Sequence, residues 1–213
     1  MSKVRAKKIK VIVFDVDGVL TDGTIWIVPS GGKSAGPIDP LTLEALADQG
    51  GYSVSSPDFT ESKGFNAHDG TGITLAKLAG IKTAFITKRI SQVVAIRARD
   101  LKIDYVYLGQ ADKSQALQKI AAAENVKLSE IAFLGDDIVD LPAMRKCGLA
   151  MAVKNSRKEV LAEAHYVTPS NGGHGAARDA IEYVLKSQGK FKKVLDEYIT
   201  TRQAAQKKAN ASR

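Results

Sequence analysis

The sequence predicts an α/β fold in which helices cover both faces of a mainly parallel β-sheet. Two observations predict it: short β-branched apolar runs alternate with helical patterns along most of the 213 residues, and the runs are apolar at consecutive positions. Continuous apolar runs are typical of strands that are buried on both faces. Strands that alternate with helices are typical of a parallel sheet, whose ligands bind outside the carboxyl ends of the strands.

The apolar runs and helical patterns follow one another in order along the chain. Strands are predicted at residues 9–14, 82–87, 105–108, 131–134, 149–153 and 166–168. Helices are predicted at residues 72–78, 91–101, 113–124, 141–146 and 157–164. Polar residues that stand at the carboxyl ends of these strands are the first candidates for chemistry, and they are Asp15, Thr87, Asp136 and Asp137.

One section of the chain, before residue 65, interrupts the alternation. It is predicted as a strand at 23–28, a flexible loop at 29–37, a short helix at 39–48 and an irregular returning strand at 51–62. Long loops in compact domains are commonly functional or disordered. The predicted organisation is therefore a single domain at residues 8–190 with an enlarged flap at about 24–64, followed by a basic C-terminal tail at 191–213.

The charge of the chain is strongly positive, with a formal net value of +8. Much of the excess lies at the two ends, in residues 3–10 and 186–213. Terminal charge runs are usually solvated tails. The alternatives are attraction of an anionic substrate toward the site and binding of nucleic acid. A single tryptophan, Trp26, and scattered tyrosines do not supply the stacking surface of a nucleic-acid-binding module, so that function is disfavoured.

The cysteine content and the hydropathy pattern favour a cytoplasmic protein. The one cysteine, Cys147, cannot form an internal disulfide, and its small apolar neighbourhood predicts a buried structural thiol. No apolar stretch is long enough to cross a bilayer, and the basic start of the chain is not followed by a signal-peptide core. We therefore expect no membrane association.

The run Phe-Asp-Val-Asp-Gly-Val-Leu-Thr-Asp at residues 14–22 follows the first strand. Its Asp15 and Asp17 are two residues apart, so their side chains point to the same side of an extended backbone. One carboxylate can attack phosphorus and the other can protonate the leaving oxygen. Two adjacent carboxylates repel each other unless a cation lies between them, so Mg²⁺ is expected. The alternative is an acidic turn after a strand.

A second acidic run, Gly-Asp-Asp-Ile-Val-Asp at residues 135–140, follows another predicted strand. Asp136 is the stronger metal candidate, since Mg²⁺ needs only one or two protein carboxylates besides water and phosphate. Asp137 is a ligand through water or a positioning residue. Asp140 is either part of the site or the cap of the helix that begins at Leu141 and Pro142.

Two further groups are candidates for holding a phosphate. Thr87 is followed by Lys88 and Arg89, which offer a hydroxyl, an ammonium and a guanidinium that can bind an anion bidentately. Lys113 precedes a helix, and its ammonium would neutralise charge on the nucleophile and on the transferring phosphoryl group. The alternatives are a polar helix start for the first group and a surface lysine for the second.

Taken in chain order, these groups resemble the four motifs of the haloacid dehalogenase superfamily of aspartate-nucleophile phosphotransferases. Segments at 14–23, 63–73, 87–89, 109–113, 133–144 and 164–185 further resemble the 3-deoxy-D-manno-octulosonate 8-phosphate phosphatase family. The resemblance implies a Rossmann-like three-layer sandwich without a large cap, Mg²⁺ dependence, a sugar-acid phosphate substrate and a part in lipopolysaccharide biosynthesis. It also implies a homotetramer in which a β-hairpin flap helps to cover a neighbour's active site.

The resemblance also assigns roles to residues. Asp15 becomes the nucleophile, Asp17 the acid/base, and Asp136 a metal ligand together with Asp15 and the Asp17 carbonyl. Asp137 joins this metal set, and Lys113 is counted as catalytic. The candidates for substrate binding are Thr87, Lys88, Arg89, Lys63, His68 and His174.

The chain departs from the family pattern at four places. His68 and His174 stand where the family commonly has arginine, Lys88 stands where it has glycine, and the flap is longer around residues 29–57. Histidine does not replace an arginine that holds a carboxylate bidentately. The alternative substrates are therefore another small sugar phosphate, for example of the nononate type. A phosphomutase, or a nucleic-acid-binding protein of the same fold, is a more distant alternative.

Overall fold

The computed structural model describes residues 2–29, 52–53 and 59–211, and side chains within 2–29 and 59–201. The strands are β1 (Val11–Phe14), β2 (Trp26–Pro29), β3 (Tyr52–Ser53), β4 (Phe59–Ser62), β5 (Lys82–Ile86), β6 (Arg89–Ile90), β7 (Tyr105–Tyr107), β8 (Ile131–Gly135), β9 (Leu149–Ala152) and β10 (Tyr166–Val167). The helices are α1 (Ser2–Ala6), α2 (Ala67–Leu78), α3 (Gln92–Asp100), α4 (Lys113–Ala123), α5 (Leu141–Met144), α6 (Lys158–Glu163), α7 (Ala176–Ser187) and α8 (Phe191–Ala211). Short 3₁₀ helices lie at Leu128–Glu130 and Ile138–Asp140.

Six strands form one sheet in the order β10-β9-β8-β1-β5-β7, and every neighbouring pair is parallel. β1 lies near the centre, with Phe14 opposite Phe85 of β5 and Leu134 of β8. Each of these strands therefore ends at the same edge of the sheet as β1. The α/β fold with a parallel sheet is confirmed.

Alternate residues of β1 belong to two different hydrophobic cores. Ile12 and Phe14 pack in a core with apolar residues of α2, α3, α7 and α8. Val11 and Val13 pack in a second core with residues of α4, α5 and α6. Side chains alternate across a strand, so the two cores lie on opposite faces of the sheet. The burial of all four residues explains why β1 is apolar at every position.

Helix α2 begins five residues earlier than the sequence pattern predicts. Asn66 caps it, since its side chain accepts a hydrogen bond from the His68 amide at 2.8 Å. The prediction started at Gly72 because Gly70 and Gly72 weaken the helical pattern. Gly72 is required by packing: a Cβ there would lie 2.8 Å from Cδ of Arg178 in α7.

The flap consists, in its described part, of strands β2 and β4, which pair antiparallel with Trp26 opposite Ser62. On the return of the chain, β3 pairs parallel with β6, so Tyr52 lies opposite Arg89. The predicted loop at 29–37 and helix at 39–48 fall on residues outside the described part, apart from Pro29. The backbone of the flap segment thus returns beside the Thr87–Arg89 end of the sheet.

The segment predicted as a C-terminal tail contains helix α8. Its Val194 is buried, and Phe191 and Tyr198 pack against the core that lies on the α2 and α7 side. The alternation of charged and apolar residues up to Tyr198 is the sequence signal of this packing. Among the described helices, none is both long enough and apolar enough to span a membrane.

Candidate active site

Asp15 directly follows β1 and is buried at the carboxyl edge of the sheet. Its backbone amide continues the ladder by donating to the Leu134 carbonyl at 3.0 Å. Its Oδ1 lies 2.6 Å from Nζ of Lys113, the first residue of α4. The N-terminus of α4 is fixed by Asp112, whose side chain accepts from the Ser114 amide. The cap on this helix therefore aims the buried lysine at Asp15.

Asp140 provides a second carboxylate for the same ammonium. Its Oδ1 lies 2.6 Å from Nζ of Lys113, and its Oδ2 accepts from the amides of Asp136 at 2.9 Å and Asp137 at 3.3 Å. It is fully buried, and it makes no side-chain hydrogen bond as a cap of α5. Between the two roles that the sequence left open, the structure thus places Asp140 within the site.

Asp136 and Asp140 lie beside Asp15, and the three residues form one acidic cluster. One ligand atom of each lies within 4.8 Å of the others. Gly18 allows the approach of Asp136: its φ is +89°, and a Cβ there would lie 2.2 Å from Asp136 Oδ2. The glycine after the Asp15–Asp17 pair is therefore required both by the turn and by the neighbouring carboxylate.

Burial, and secondarily repulsion from neighbouring carboxylates, raises the pKa of Asp15 and of Asp136. Burial raises the pKa of Asp15 to about 7, against the opposing effect of Lys113. Burial and the charges of Asp15 and Asp140 raise the pKa of Asp136 to about 8. Burial acts to lower the pKa of Lys113, but the two carboxylates outweigh it and raise that pKa. The cluster holds more negative charge than one ammonium neutralises.

These residues fit a magnesium ion. Oδ1 of Asp136 is buried and has no hydrogen-bond partner among the described residues. Hard carboxylate oxygens are the ligands that Mg²⁺ takes, commonly one or two from the protein. A divalent cation here would satisfy this oxygen and would offset both the burial of the carboxylates and the repulsion between them. Asp15 and Asp136 are the residues that would hold it.

Asp17 and Asp137, both predicted as metal ligands, have side chains that turn elsewhere. The Asp17 carboxylate forms an ion pair with Lys63, and its Oδ2 lies 3.8 Å from Nε of Arg89. The exposed Asp137 accepts from the Ile138 amide at 2.7 Å and caps the 3₁₀ helix. Ligation through the Asp17 carbonyl, or through water at Asp137, stays a prediction.

Lys63 extends from the end of β4 into the site. Its buried ammonium contacts Asp17 and lies 3.3 Å from Oε1 of Glu61. The other oxygen of Glu61 accepts a hydrogen bond from the Ser91 hydroxyl, at the N-cap of α3. These contacts join the flap to two loops of the sheet edge. Lys63 was predicted as a substrate-binding residue, and here its charge is matched by protein carboxylates.

Thr87 is buried at the end of β5, where its hydroxyl accepts from the Arg89 amide at 3.2 Å. Lys88 and Arg89 follow it and are half-buried. Since β1, β5 and β8 are parallel neighbours, Thr87 lies at the same sheet edge as Asp15 and Asp136. The strand ends that were predicted to share one edge of the sheet therefore do so. The binding roles of Thr87, Lys88 and Arg89 stay predictions.

His68, in the first turn of α2, and His174, in the loop before α7, are exposed and lie on segments that meet near Gly175. A Cβ placed on Gly175 would lie 3.9 Å from Cβ of His68. Nδ1 of His174 lies 2.8 Å from the Gly172 carbonyl. Gly172 packs directly on Gly18, which places this glycine-rich loop against the turn that follows Asp15 and Asp17. Their predicted contact with substrate stays a prediction.

Asp69 connects the starts of α2 and α7 and was not selected from the sequence. Its Oδ1 accepts from the Arg178 amide at 2.9 Å, so a side chain of α2 caps α7. Gly175, at the N-cap of α7, supplies no side chain. Glu61 was likewise not selected, and Asp140 was left open between a role in the site and a helix cap. The Gly-Asp-Asp-x-x-Asp spacing was a signal for Asp140, whereas Asp69 and Glu61 depend on contacts with distant segments.

A parallel α/β sheet with a buried aspartate, lysine and acidic cluster at its carboxyl edge defines a phosphotransferase-type site. The haloacid dehalogenase-like hydrolase family matches residues 73–179 of the chain. The 3-deoxy-D-manno-octulosonate 8-phosphate phosphatase KdsC of Yersinia pestis is 33% identical over 187 residues, covering 88% of this chain and 85% of that protein. The enzyme of the same name from Escherichia coli K12 is 35% identical over 192 residues, with the same coverage.

Solved structures agree with these relatives. The crystal structure of 3-deoxy-D-manno-octulosonate 8-phosphate phosphatase from Moraxella catarrhalis, in complex with magnesium ion, phosphate ion and KDO, has a TM-score of 0.75. It is 33% identical, and the match covers 92% of this chain and 97% of that one. The chain belongs to the haloacid dehalogenase-like hydrolase family and is a phosphoric monoester hydrolase. The predicted superfamily and enzyme class are confirmed.

Proposed function

We propose that the chain hydrolyses a sugar-acid phosphate such as 3-deoxy-D-manno-octulosonate 8-phosphate, with Mg²⁺ as its cofactor. The observation that carries the proposal is the buried Asp15, held by Lys113 beside the acidic residues Asp136 and Asp140. The relatives and the magnesium-bound neighbour support the substrate class and the metal.

The reaction that these residues support has two steps. A carboxylate oxygen of Asp15 attacks phosphorus, the bond from phosphorus to the leaving oxygen breaks, and Asp17 gives that oxygen a proton. Asp17 then takes a proton from water, the water oxygen attacks phosphorus, and inorganic phosphate leaves with Asp15 restored. Lys113 holds the nucleophile in place and neutralises negative charge around it. Bound Mg²⁺ supplies charge neutralisation on the phosphate oxygens.

The substrate roles follow from the placement of the remaining candidates. Thr87, Lys88 and Arg89 are assigned to the phosphate, since they share the sheet edge with Asp15. Lys63, His68 and His174 are assigned to the sugar-acid portion, since they lie after the flap strand β4, in the first turn of α2 and in the loop before α7. Asp17 and Asp137 complete the metal environment through a carbonyl and through water.

The assembly and location are further parts of the proposal. A homotetramer is supported by the apolar strand β2, whose Trp26 is 60% and Ile27 55% exposed within one chain. A cytoplasmic location is supported by the buried free thiol of Cys147, which needs no oxidising compartment.

The proposed function is tested by measuring release of inorganic phosphate from a panel of sugar-acid phosphates, nononate phosphates and hexose phosphates, with Mg²⁺ and with EDTA. We expect Mg²⁺-dependent, stoichiometric release, with the highest kcat/KM for an eight-carbon sugar-acid phosphate. Asp15→Asn should abolish it, while Asp100→Asn, an exposed change of the same type on α3, should not. Preference for a hexose phosphate would refute the substrate class, and an active Asp15→Asn enzyme would refute the mechanism.

A further inference from the structure

The net positive charge of the chain comes from its two ends. Residues 3–10 contain five cations and no acidic residue, and residues 186–213 contain eight cations and two acidic residues. The ends therefore carry +5 and +6, and residues 11–185 between them carry −3, within the net charge of +8. An excess this uneven needs a structural or functional explanation separate from the catalytic domain.

The structure brings the two ends together beside the start of the sheet. Nε2 of Gln188, just after α7, donates to the carbonyls of Ala6 at 3.2 Å and Ile9 at 2.8 Å. The Tyr183 hydroxyl lies 2.7 Å from Oγ of Ser2. The two basic segments are thus held side by side by hydrogen bonds, in the parts nearest the sheet, and are not independent solvated tails.

An open cavity of about 620 Å³ lies between them, and its charged and amide lining residues are Lys7, Lys8, Lys10, Lys190, Glu130 and Gln188. Lys10 pairs with Glu130 at 2.7 Å. Lys7 and Lys8 are exposed and form no ion pair within the described part of the chain. The cavity is therefore lined by four lysines and one carboxylate, and the Lys190 ammonium also donates to the Ala79 carbonyl at 3.4 Å. Oε1 of Gln188 is also buried without a hydrogen-bond partner among the described residues.

This basic cavity is separate from the catalytic cluster. Lys10 precedes β1 and Glu130 precedes β8, whereas Asp15 and Asp136 follow the same strands. The four residues of β1 span about 13 Å at the rise of a β-strand. That separation exceeds the Debye length of about 8 Å at physiological salt. Charge at this edge therefore contributes little to attracting the phosphate that Asp15 attacks.

We propose that the basic cavity is a second binding site, for a small anion that carries two or more adjacent phosphate groups. Its volume is within the range of small-molecule sites, about 300 to 1,000 Å³. Several ammonium groups can each contact a different oxygen of two or more adjacent phosphate groups, whereas a single phosphate would contact fewer of them. A concave site suits a small ligand better than a flat lipid surface. Its described lining contains no aromatic ring on which a nucleic-acid base would stack.

The site is tested by isothermal titration calorimetry on the full chain at 150 mM salt with EDTA, using inorganic triphosphate and a nucleoside triphosphate. We expect one saturable site, with much weaker binding of orthophosphate. The double variant Lys7→Gln/Lys8→Gln should bind about tenfold more weakly, since two ammonium contacts are lost. Glu130→Gln should bind about threefold more tightly, because Lys10 is then no longer neutralised.

The matched control is Lys119→Gln/Lys158→Gln, which removes two exposed lysines from α4 and α6 and should change affinity less than twofold. Phosphatase activity should be unchanged in all of these variants, which also shows that they fold. The proposal is overturned if binding is not saturable, if the control loses as much affinity as the cavity variant, or if Glu130→Gln has no effect. Binding of only duplex DNA or of phosphatidylglycerol vesicles, with the same dependence on Lys7 and Lys8, would assign the surface to a macromolecule instead.

Discussion

Lys113 places one ammonium between two buried carboxylates, at 2.6 Å from an oxygen of Asp15 and 2.6 Å from an oxygen of Asp140. Burying the ammonium costs desolvation free energy, and its attraction to the two carboxylates offsets this cost. Removing the ammonium would leave Asp15 and Asp140 to repel each other in a buried site. Lys113 therefore serves the folded state and, in the proposed mechanism, also the nucleophile Asp15.

We predict that Lys113→Met lowers kcat at least 100-fold and destabilises the protein by about 3 kcal/mol. The measurements are phosphate release with saturating substrate and urea unfolding. Lys119→Met, an exposed change in the same helix, is the control and should leave both values nearly unchanged. A Lys113→Met enzyme that keeps more than a tenth of its turnover would show that another group fixes Asp15.

Cys147 is a buried residue whose thiol is expected to react slowly in the folded protein. Burial raises the pKa of its thiol to about 12, and Sγ lies 3.2 Å from the Met144 carbonyl. Because the thiolate is the reactive form, the native thiol should resist a disulfide reagent at pH 8 and react promptly in denaturant. Fast labelling of the native protein at a rate independent of its stability would contradict this prediction.

At the scale of elements, α8 shows how a charged segment can belong to the core. Val194 is 3% exposed, whereas the adjacent Lys193 is exposed. We predict that Val194→Ala lowers the free energy of unfolding by about 1 to 2 kcal/mol, through lost burial and a small cavity. Lys193→Ala should change it by less than about 0.5 kcal/mol. Equal effects of the two changes in urea unfolding would mean that α8 does not pack as described.

The link between α2 and α7 predicts a dependence of stability on pH. Burial raises the pKa of Asp69 from 3.8 to about 6, with Asp179 adding to this and the Arg178 amide opposing it. Between these values the folded state binds more protons than the unfolded state, so this group lowers stability as the pH rises. The shift corresponds to about 3 kcal/mol at most, and the N-terminus of α7 offsets about 1 kcal/mol of it.

We therefore predict that the stability of Asp69→Asn relative to the wild type rises by about 2 kcal/mol from pH 4 to pH 6. The reason is that asparagine still accepts the Arg178 hydrogen bond and carries no charge. Urea unfolding of both proteins across this range measures the difference, in which the other titrating groups cancel. A difference that falls with rising pH would show that the helix terminus stabilises the carboxylate more than burial penalises it.

At the scale of the whole molecule, the described part of the flap leaves an apolar strand uncovered. Trp26, Ile27 and Val28 are all exposed in one chain. If β2 is buried between subunits as the proposed tetramer requires, Trp26→Glu should lower the mass measured by light scattering at micromolar concentration. Ile96→Glu, at an exposed apolar residue of α3, is the control and should keep the assembly. A wild-type protein that is monomeric at this concentration would refute the tetramer.

The sequence predicted a large part of the fold because burial leaves a local signature. The consecutive apolar residues of β1, β5, β8 and β9 reflect strands covered on both faces. The boundaries of the six strands in the parallel sheet are matched within about two residues, whereas α2 was predicted too short because two glycines interrupt its pattern. The helical character of the C-terminal segment was missed because most of its residues are polar, and only Phe191, Val194 and Tyr198 record its packing.

The amino-acid sequence was sufficient to predict the parallel α/β architecture and the chemical groups at the strand ends, Asp15, Thr87 and Asp136. Parallel neighbouring strands end at one edge, so these groups must lie near one another. Tertiary packing brings Asp140 to Lys113 beside Asp15, brings Lys63 to Asp17, and joins the two basic ends around one cavity. These contacts join residues far apart in the chain, and local periodicity carries no information about which distant charges packing brings together.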